Sequence, residues 1–250
     1  MPDIIAGVLA TEGLGWIVFA AFLGGLVRGF AGFGTALVFL PFAAQVLTPF
    51  QSILALTFMD LIGPLPILRK AWPKVEQGDL WRLLLGTAVM LPVGLGVLTL
   101  VAPEVFRYAV SVLALGMLAV LAGGLRYPGA VTRRMVLGIG GAAGFLGGVA
   151  GLPGPPVILF YMARPLEAAV IRATTLYFLF AFDVMIILGM GLFGRWESGA
   201  TLIGLGIALP CMAGNWLGGW MFRPALEKPY RAVAYTLIGL SALSGLPLWG

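Results

Sequence analysis

The sequence predicts an all-α polytopic membrane protein made of two inverted repeats, each a broken-helix hairpin followed by three transmembrane helices. Three observations carry that expectation. Sixty per cent of the 250 residues are hydrophobic and ten per cent charged, where a soluble domain has about 45–50% and about 25%. Uncharged runs recur that approach the ~20 residues a helix needs to cross ~30 Å of hydrocarbon, and the mean hydropathy is +1.04. A glycine pattern, Gly25, Gly29 and Gly32, returns 119 residues later as Gly144, Gly148 and Gly151.

Taken in order, the first residues, MPDIIAGVLATEG, carry Asp3 and Glu12 and lack the basic n-region of a signal peptide, so no cleavage is expected. Apolar runs follow at 13–27, 35–47, 52–68, 83–101, 108–125, 135–151, 154–163, 173–193, 200–221 and 232–249. Four of the breaks between them hold every Lys and Arg except Arg28, Arg107 and Arg195. If those four face the cytoplasm, the positive-inside rule is met throughout. Segment 52–68 then runs inward and 173–193 outward, so the halves 1–125 and 126–250 are upside down relative to each other and together form one transport domain. That alternation works only if 13–47 and 135–163 each return to the side they start from. The pieces 35–47 and 154–163 are short for full crossings, which points to discontinuous helices. Pro92 with Pro210, Asp60 with Asp183 and Arg107 with Arg231 recur at similar offsets, as a duplication requires.

Composition excludes several classes of function. There is no histidine, which removes the usual general base, the usual metal ligand and every His-dependent triad. One cysteine, Cys211, rules out an intrachain disulfide and a Cys-based metal cluster. The net charge of +5 is explained by loop topology, because no basic run is long enough for a phosphate-binding stripe, so no nucleic-acid partner is expected. Neither a metal nor a cofactor is expected, and the chain does not read as an enzyme.

What remains is the chemistry of the breaks. Glycine in a helix interior costs about 1 kcal/mol relative to alanine and proline about 3, so Pro153, Pro155 and Pro156 must interrupt a helix. Such an interruption is tolerated in lipid only where it lines a cavity or is buried in protein. A half-helix that starts in mid-membrane presents N–H donors and the positive end of its dipole, which suits an anion. The candidate substrate residues are therefore Arg28, Gly29, Gly32, Gly34 and Thr35 in the first half, and Gly148, Gly151, Pro153, Gly154 and Pro155 in the second. For the glycines, close helix packing through small-xxx-small contacts is the competing reading. Arg28 cannot deprotonate and matches oxyanion geometry; snorkelling or a structural pairing with an aspartate is its alternative. Its counterpart at offset 119 is Gly147, so a site would be asymmetric. Asp60 and Asp183, the only acids well inside long apolar runs, are candidates for proton coupling, against a structural salt bridge or a hydrogen-bonded carboxyl. Thr57, Thr175 and Asn215 are secondary polar candidates, with Thr174 beside them, although threonines often bond back to their own helix.

GLVRGFAGFGTALVFLP in the first half and GFLGGVAGLPGPPVILFY in the second resemble the paired glycine-rich signatures of the TauE/SafE sulfite exporter family of anion permeases. The resemblance covers nearly the whole chain. It implies export of sulfite or an organosulfonate such as sulfoacetate or sulfolactate, driven by ion gradients without ATP, across a bacterial inner membrane. The implied site is Gly29 to Thr35 with Gly148 to Pro156. Thr35 and Ala36 stand where many members continue the glycine run. The partners expected are a small anion, the lipid bilayer and, as an open option, a second copy in a homodimer. A passive anion channel is the alternative, and an intramembrane lipid-handling protein a more distant one.

Overall fold

The computed structural model describes residues 2–31, 33–63, 65–123, 132–162, 164, 166–221 and 227–246. Among the described residues the fold is all helical: α1 (Pro2–Leu9), α2 (Leu14–Ala31), α3 (Thr35–Ala43), α4 (Pro49–Ile62), α5 (Leu65–Ala71), α6 (Gln77–Leu98), α7 (Pro103–Ala122), α8 (Arg133–Ala150), α9 (Gly154–Met162), α10 (Ala168–Leu192), α11 (Ser198–Met221) and α12 (Glu227–Gly245), with a 3-10 turn at Trp72–Lys74. Four of these, α6, α7, α10 and α11, are long and apolar enough to cross a membrane. At 1.5 Å per residue the nine residues of α3 and of α9 span only ~14 Å, half a bilayer core. They are half-helices.

Local chemistry sets the ends. Asp79 in the first turn of α6 offsets the exposed N–H groups there, so that helix starts six residues before the apolar run does. Pro103 begins α7, where its missing N–H costs nothing. Thr132 caps α8 by accepting from the Met135 N–H at 3.3 Å. The run 52–68, expected to be one crossing, is divided: α4 ends at Ile62 and α5 begins at Leu65. The Gly63-Pro64 pair explains the division, since proline disfavours helix in the residue before it.

The chain forms two compact units, one of residues 1–59, 102–123 and 197–250, the other of 60–101 and 124–196. Each takes helices from both sides of residue 125. In the first, α2 lies along α11 in the same direction, backbone against backbone. A Cβ on Gly25 would stand 3.1 Å from the Asn215 nitrogen, and one on Gly29 2.7 Å from that of Gly219. From the other side, a Cβ on Gly218 would stand 3.1 Å from the Gly29 Cα. α7 and α12 run antiparallel: Tyr235 donates to the Leu121 carbonyl near one end (3.3 Å) and Arg107 to that of Gly245 near the other (2.6 Å). α3 is fixed to α12 by the Ser241 hydroxyl, which donates to the Val38 carbonyl at 2.5 Å.

In the second unit α6 and α8 also run in one direction with their backbones touching. A Cβ on Gly144 would lie 2.6 Å from the Thr87 carbonyl oxygen, and one on Gly148 2.8 Å from that of Leu91. The Thr87 hydroxyl spans the contact to the Gly140 carbonyl at 2.9 Å. Such closeness is what small residues supply where lipid gives helices no hydrophobic reason to associate. α10 runs alongside in the same direction, from Thr174, which accepts the Glu76 N–H at 2.9 Å, to Gly189 opposite the Leu95 side chain. The core between them holds Leu80, Leu83, Val136, Ala143, Phe160 and Phe178.

Candidate functional site

In the first unit, α2 ends at Ala31 and the chain turns back through Gly34, whose φ of 106° places it outside the range open to most side chains. Gly34 is the N-cap of α3 and offers no capping side chain. The turn brings the start of α3 level with α2 two turns earlier, since a Cβ on Gly24 would be 3.1 Å from the Thr35 carbonyl oxygen. At that height α2 touches Cys211 and Asn215, in the middle of α11. The N-terminus of α3 therefore opens midway along a membrane-spanning helix. The Val38 N–H is bonded to the Gly34 carbonyl at 3.1 Å. The N–H groups of Thr35, Ala36 and Leu37 are those that helix geometry leaves without an intrahelical acceptor. Thr35 is 3% exposed and its hydroxyl has no hydrogen-bond partner. Arg28, half-buried, stands on α2 one residue after Val27, whose side chain lies against Gly34. Gly34 and Thr35 thus lie together at the N-terminus of α3, and Arg28 follows on α2 the residue that packs against Gly34. Gly32 lies outside the described residues. The contact surface of Gly29 is α11.

In the second unit, Gly151 (φ 69°) ends α8, and the Leu152 N–H donates to the Leu146 carbonyl at 3.3 Å. Pro153 is buried, and α9 starts at Gly154 with Pro155 and Pro156 in its first turn. These prolines fit a helix start but carry no N–H. A Cβ on Gly147 would run into the Phe182 ring and lie 3.2 Å from the Pro153 Cβ. Where the first half has Arg28, the second has glycine under an aromatic ring. Asp183 follows Phe182 on α10 and is half-buried at the height of the break. Gly148 faces the α6 backbone.

The remaining candidates are scattered. Asp60, half-buried near the end of α4, is the first residue of the second unit. Thr57, 2% exposed, donates to the Ile53 carbonyl of its own helix at 2.8 Å. Thr174 likewise bonds back to Val170 at 2.9 Å, and Thr175 is half-buried. The Asn215 residue is exposed while its backbone packs on Gly25 and Gly29.

One cluster escapes a reading of the sequence. Asp79, 5% exposed in the first turn of α6, pairs with Arg82 at 3.4 Å and with Arg164, which also lies 5.5 Å from the centre of the Phe160 ring. The segment RPLEAAVIR reads as a plain interfacial connection; the signals for the cluster are the arginine at the exit of α9 and two acids, Glu76 and Asp79, among the basic residues 69–82. Among the described residues no three His, Cys, Asp or Glu side chains gather as metal ligands do.

A family model described as Sulfite exporter TauE/SafE matches residues 17–245. No curated protein and no solved structure matches the chain.

Proposed function

The chain belongs to the TauE/SafE sulfite exporter family, an integral membrane transporter family for anions, and from that premise we propose a secondary transporter that exports sulfite or an organosulfonate by ion-coupled alternating access. The observation that carries the proposal is the start of α3: a half-helix N-terminus midway along α11, with the buried, unpartnered Thr35 hydroxyl in its first turn and Arg28 nearby. Helix-terminal donors and a guanidinium provide for an oxyanion what water would otherwise supply. An arginine in mid-membrane costs at least ~2.5 kcal/mol, a cost that an anion-attracting role explains. Gly151, Pro153, Gly154 and Pro155 form the matching break, and Gly29 and Gly148 serve by seating each broken hairpin against its partner helix. The antiparallel packing of α7 on α12 supports the inverted duplication, because counterparts in inverted repeats must run oppositely. Asp60 and Asp183 carry the coupling proton in this reading, and the membrane is a bacterial inner membrane. A homodimer is not required by it.

Uphill sulfite accumulation in proteoliposomes under an imposed ion gradient tests the transporter against the passive channel, which only equilibrates the anion. Arg28→Gln should lose that flux while keeping the thermal melt of the parent; retained flux removes Arg28 from the site. With a pH gradient as the only driving force, Asp60→Asn and Asp183→Asn should leave exchange intact and abolish accumulation. An unchanged response in both variants excludes proton coupling through these residues.

A further inference from the structure

We propose that the groove between α6 and α8 binds an anionic phospholipid, with the headgroup phosphate at Arg133 and Arg134 and one acyl chain along the groove. The groove is about 660 Å³ in volume and is lined by Val89 from α6 and by Leu137, Gly138, Gly141, Ala142 and Phe145 from α8. It exists because the backbones of α6 and α8 already touch through Gly86, Gly140 and Gly144, while the outer edge of α8 carries little side chain. A Cβ on Gly138 would meet nothing within 4 Å. Walls this apolar offer nothing to a small sulfur oxyanion and suit a hydrocarbon chain.

The charge stands at one end of the same face. Arg133 and Arg134 are exposed one turn before Leu137 and Gly138, positions that share a helix face. Both lie in the first turn of α8, where the helix dipole adds to their attraction for phosphate. Trp81, 58% exposed and one turn before Leu85 on the parallel α6, stands at that end as an interfacial anchor. Basic pockets between helices on the cytoplasmic side are the sites where anionic headgroups are held.

The other half of the chain supplies an internal control. At the 119-residue offset, α2 carries Phe19, Phe22 and Leu23 where α8 has Gly138, Gly141 and Ala142, and Leu14 and Gly15 where α8 has its two arginines. That face carries a smaller groove of about 520 Å³ lined by Gly15, Trp16 and Phe19, but no Lys or Arg precedes Arg28 in the sequence, so groove and adjacent arginines occur together in one half only. Loop topology alone accounts for the arginines, but it leaves the coincidence with the glycine floor unexplained.

Native mass spectrometry of the full-length protein, titrated with phosphatidylglycerol or phosphatidylcholine, tests the assignment. The parent should retain phosphatidylglycerol roughly tenfold better than phosphatidylcholine. Arg133→Gln with Arg134→Gln should erase that preference. Gly138→Leu, placed in open space, should fill the groove and lower retention of both lipids with an unchanged thermal melt; Gly138→Val repeats the test if the leucine variant fails to fold. Equal retention of the two lipids by the parent overturns the proposal, as does a preference that survives both the arginine and the groove variants. A dimer that dissociates in Gly138→Leu also overturns it, by assigning the groove to a second copy of the chain.

Discussion

The two helix breaks begin from the same glycine pattern and arrive at different chemistry. The turn at Gly34 opens a helix whose first three residues keep their N–H groups, beside a buried hydroxyl and within a turn or two of Arg28. The turn at Gly151 closes one helix and starts the next with prolines, under Phe182, where the guanidinium has no counterpart. In the proposed reading, the first break attracts the oxyanion and the second stays broken. The glycine pattern recurs at both breaks, while the arginine stands at one of them only.

The sharpest way to break this contrast is to place asparagine at each turn. Asparagine adopts left-handed backbone near φ 57° with little penalty, so the backbone at Gly151, at 69°, should accept Asn with less strain than the backbone at Gly34. Gly34→Asn, at 106° and with Val27 2.9 Å from the new Cβ, should cost about 1–3 kcal/mol and most of the flux. Equal melts and equal fluxes for the two variants would dissolve the distinction. Next in size is Thr35→Val. It replaces an unpartnered buried hydroxyl by a methyl of similar shape, so the melt should rise by the equivalent of about 1 kcal/mol. Sulfite flux should fall roughly tenfold in the same protein if the hydroxyl serves the anion. A stabilised variant with full flux would make Thr35 a packing residue. The smallest effect is expected from Pro155→Ala, which returns one N–H donor to α9; flux should change less than about twofold. A large gain there would mean that the second break also binds the anion.

Much of the helical order was legible in the sequence because its determinants are local. Prolines and glycines break helices wherever they stand, and a cluster of Arg and Lys ends an apolar run without reference to the rest of the chain. The positions of Gly34, Gly151 and Pro153 as breaks follow from that. Partnership is a different matter. Gly25 and Gly29 could equally have faced a cavity or a helix, and only the fold reveals the α11 backbone against them. Periodicity identifies a face and is silent about what covers it. Thr57 reads as a polar candidate in the sequence, and the fold alone shows its hydroxyl donating to the Ile53 carbonyl of its own helix. Asp79 was hidden for the opposite reason: it lay among loop charges, and its burial against Arg164 depends on residues 85 positions apart.

The backbone contacts of α2 with α11 and of α6 with α8 also bear on how the protein is made. α2 leaves the ribosome with a glycine face shaped for a helix that begins at Ser198. At about 5–20 residues per second, the 186 residues between Gly25 and Cys211 take roughly ten to forty seconds to synthesise. During that interval the first half sits in the bilayer with its closest partner still untranslated, and lipid or an insertion factor must cover the face. Expressed as separate fragments cut near residue 125, neither half holds its own partner for these contacts. Mixed in one membrane, the two fragments should restore each other.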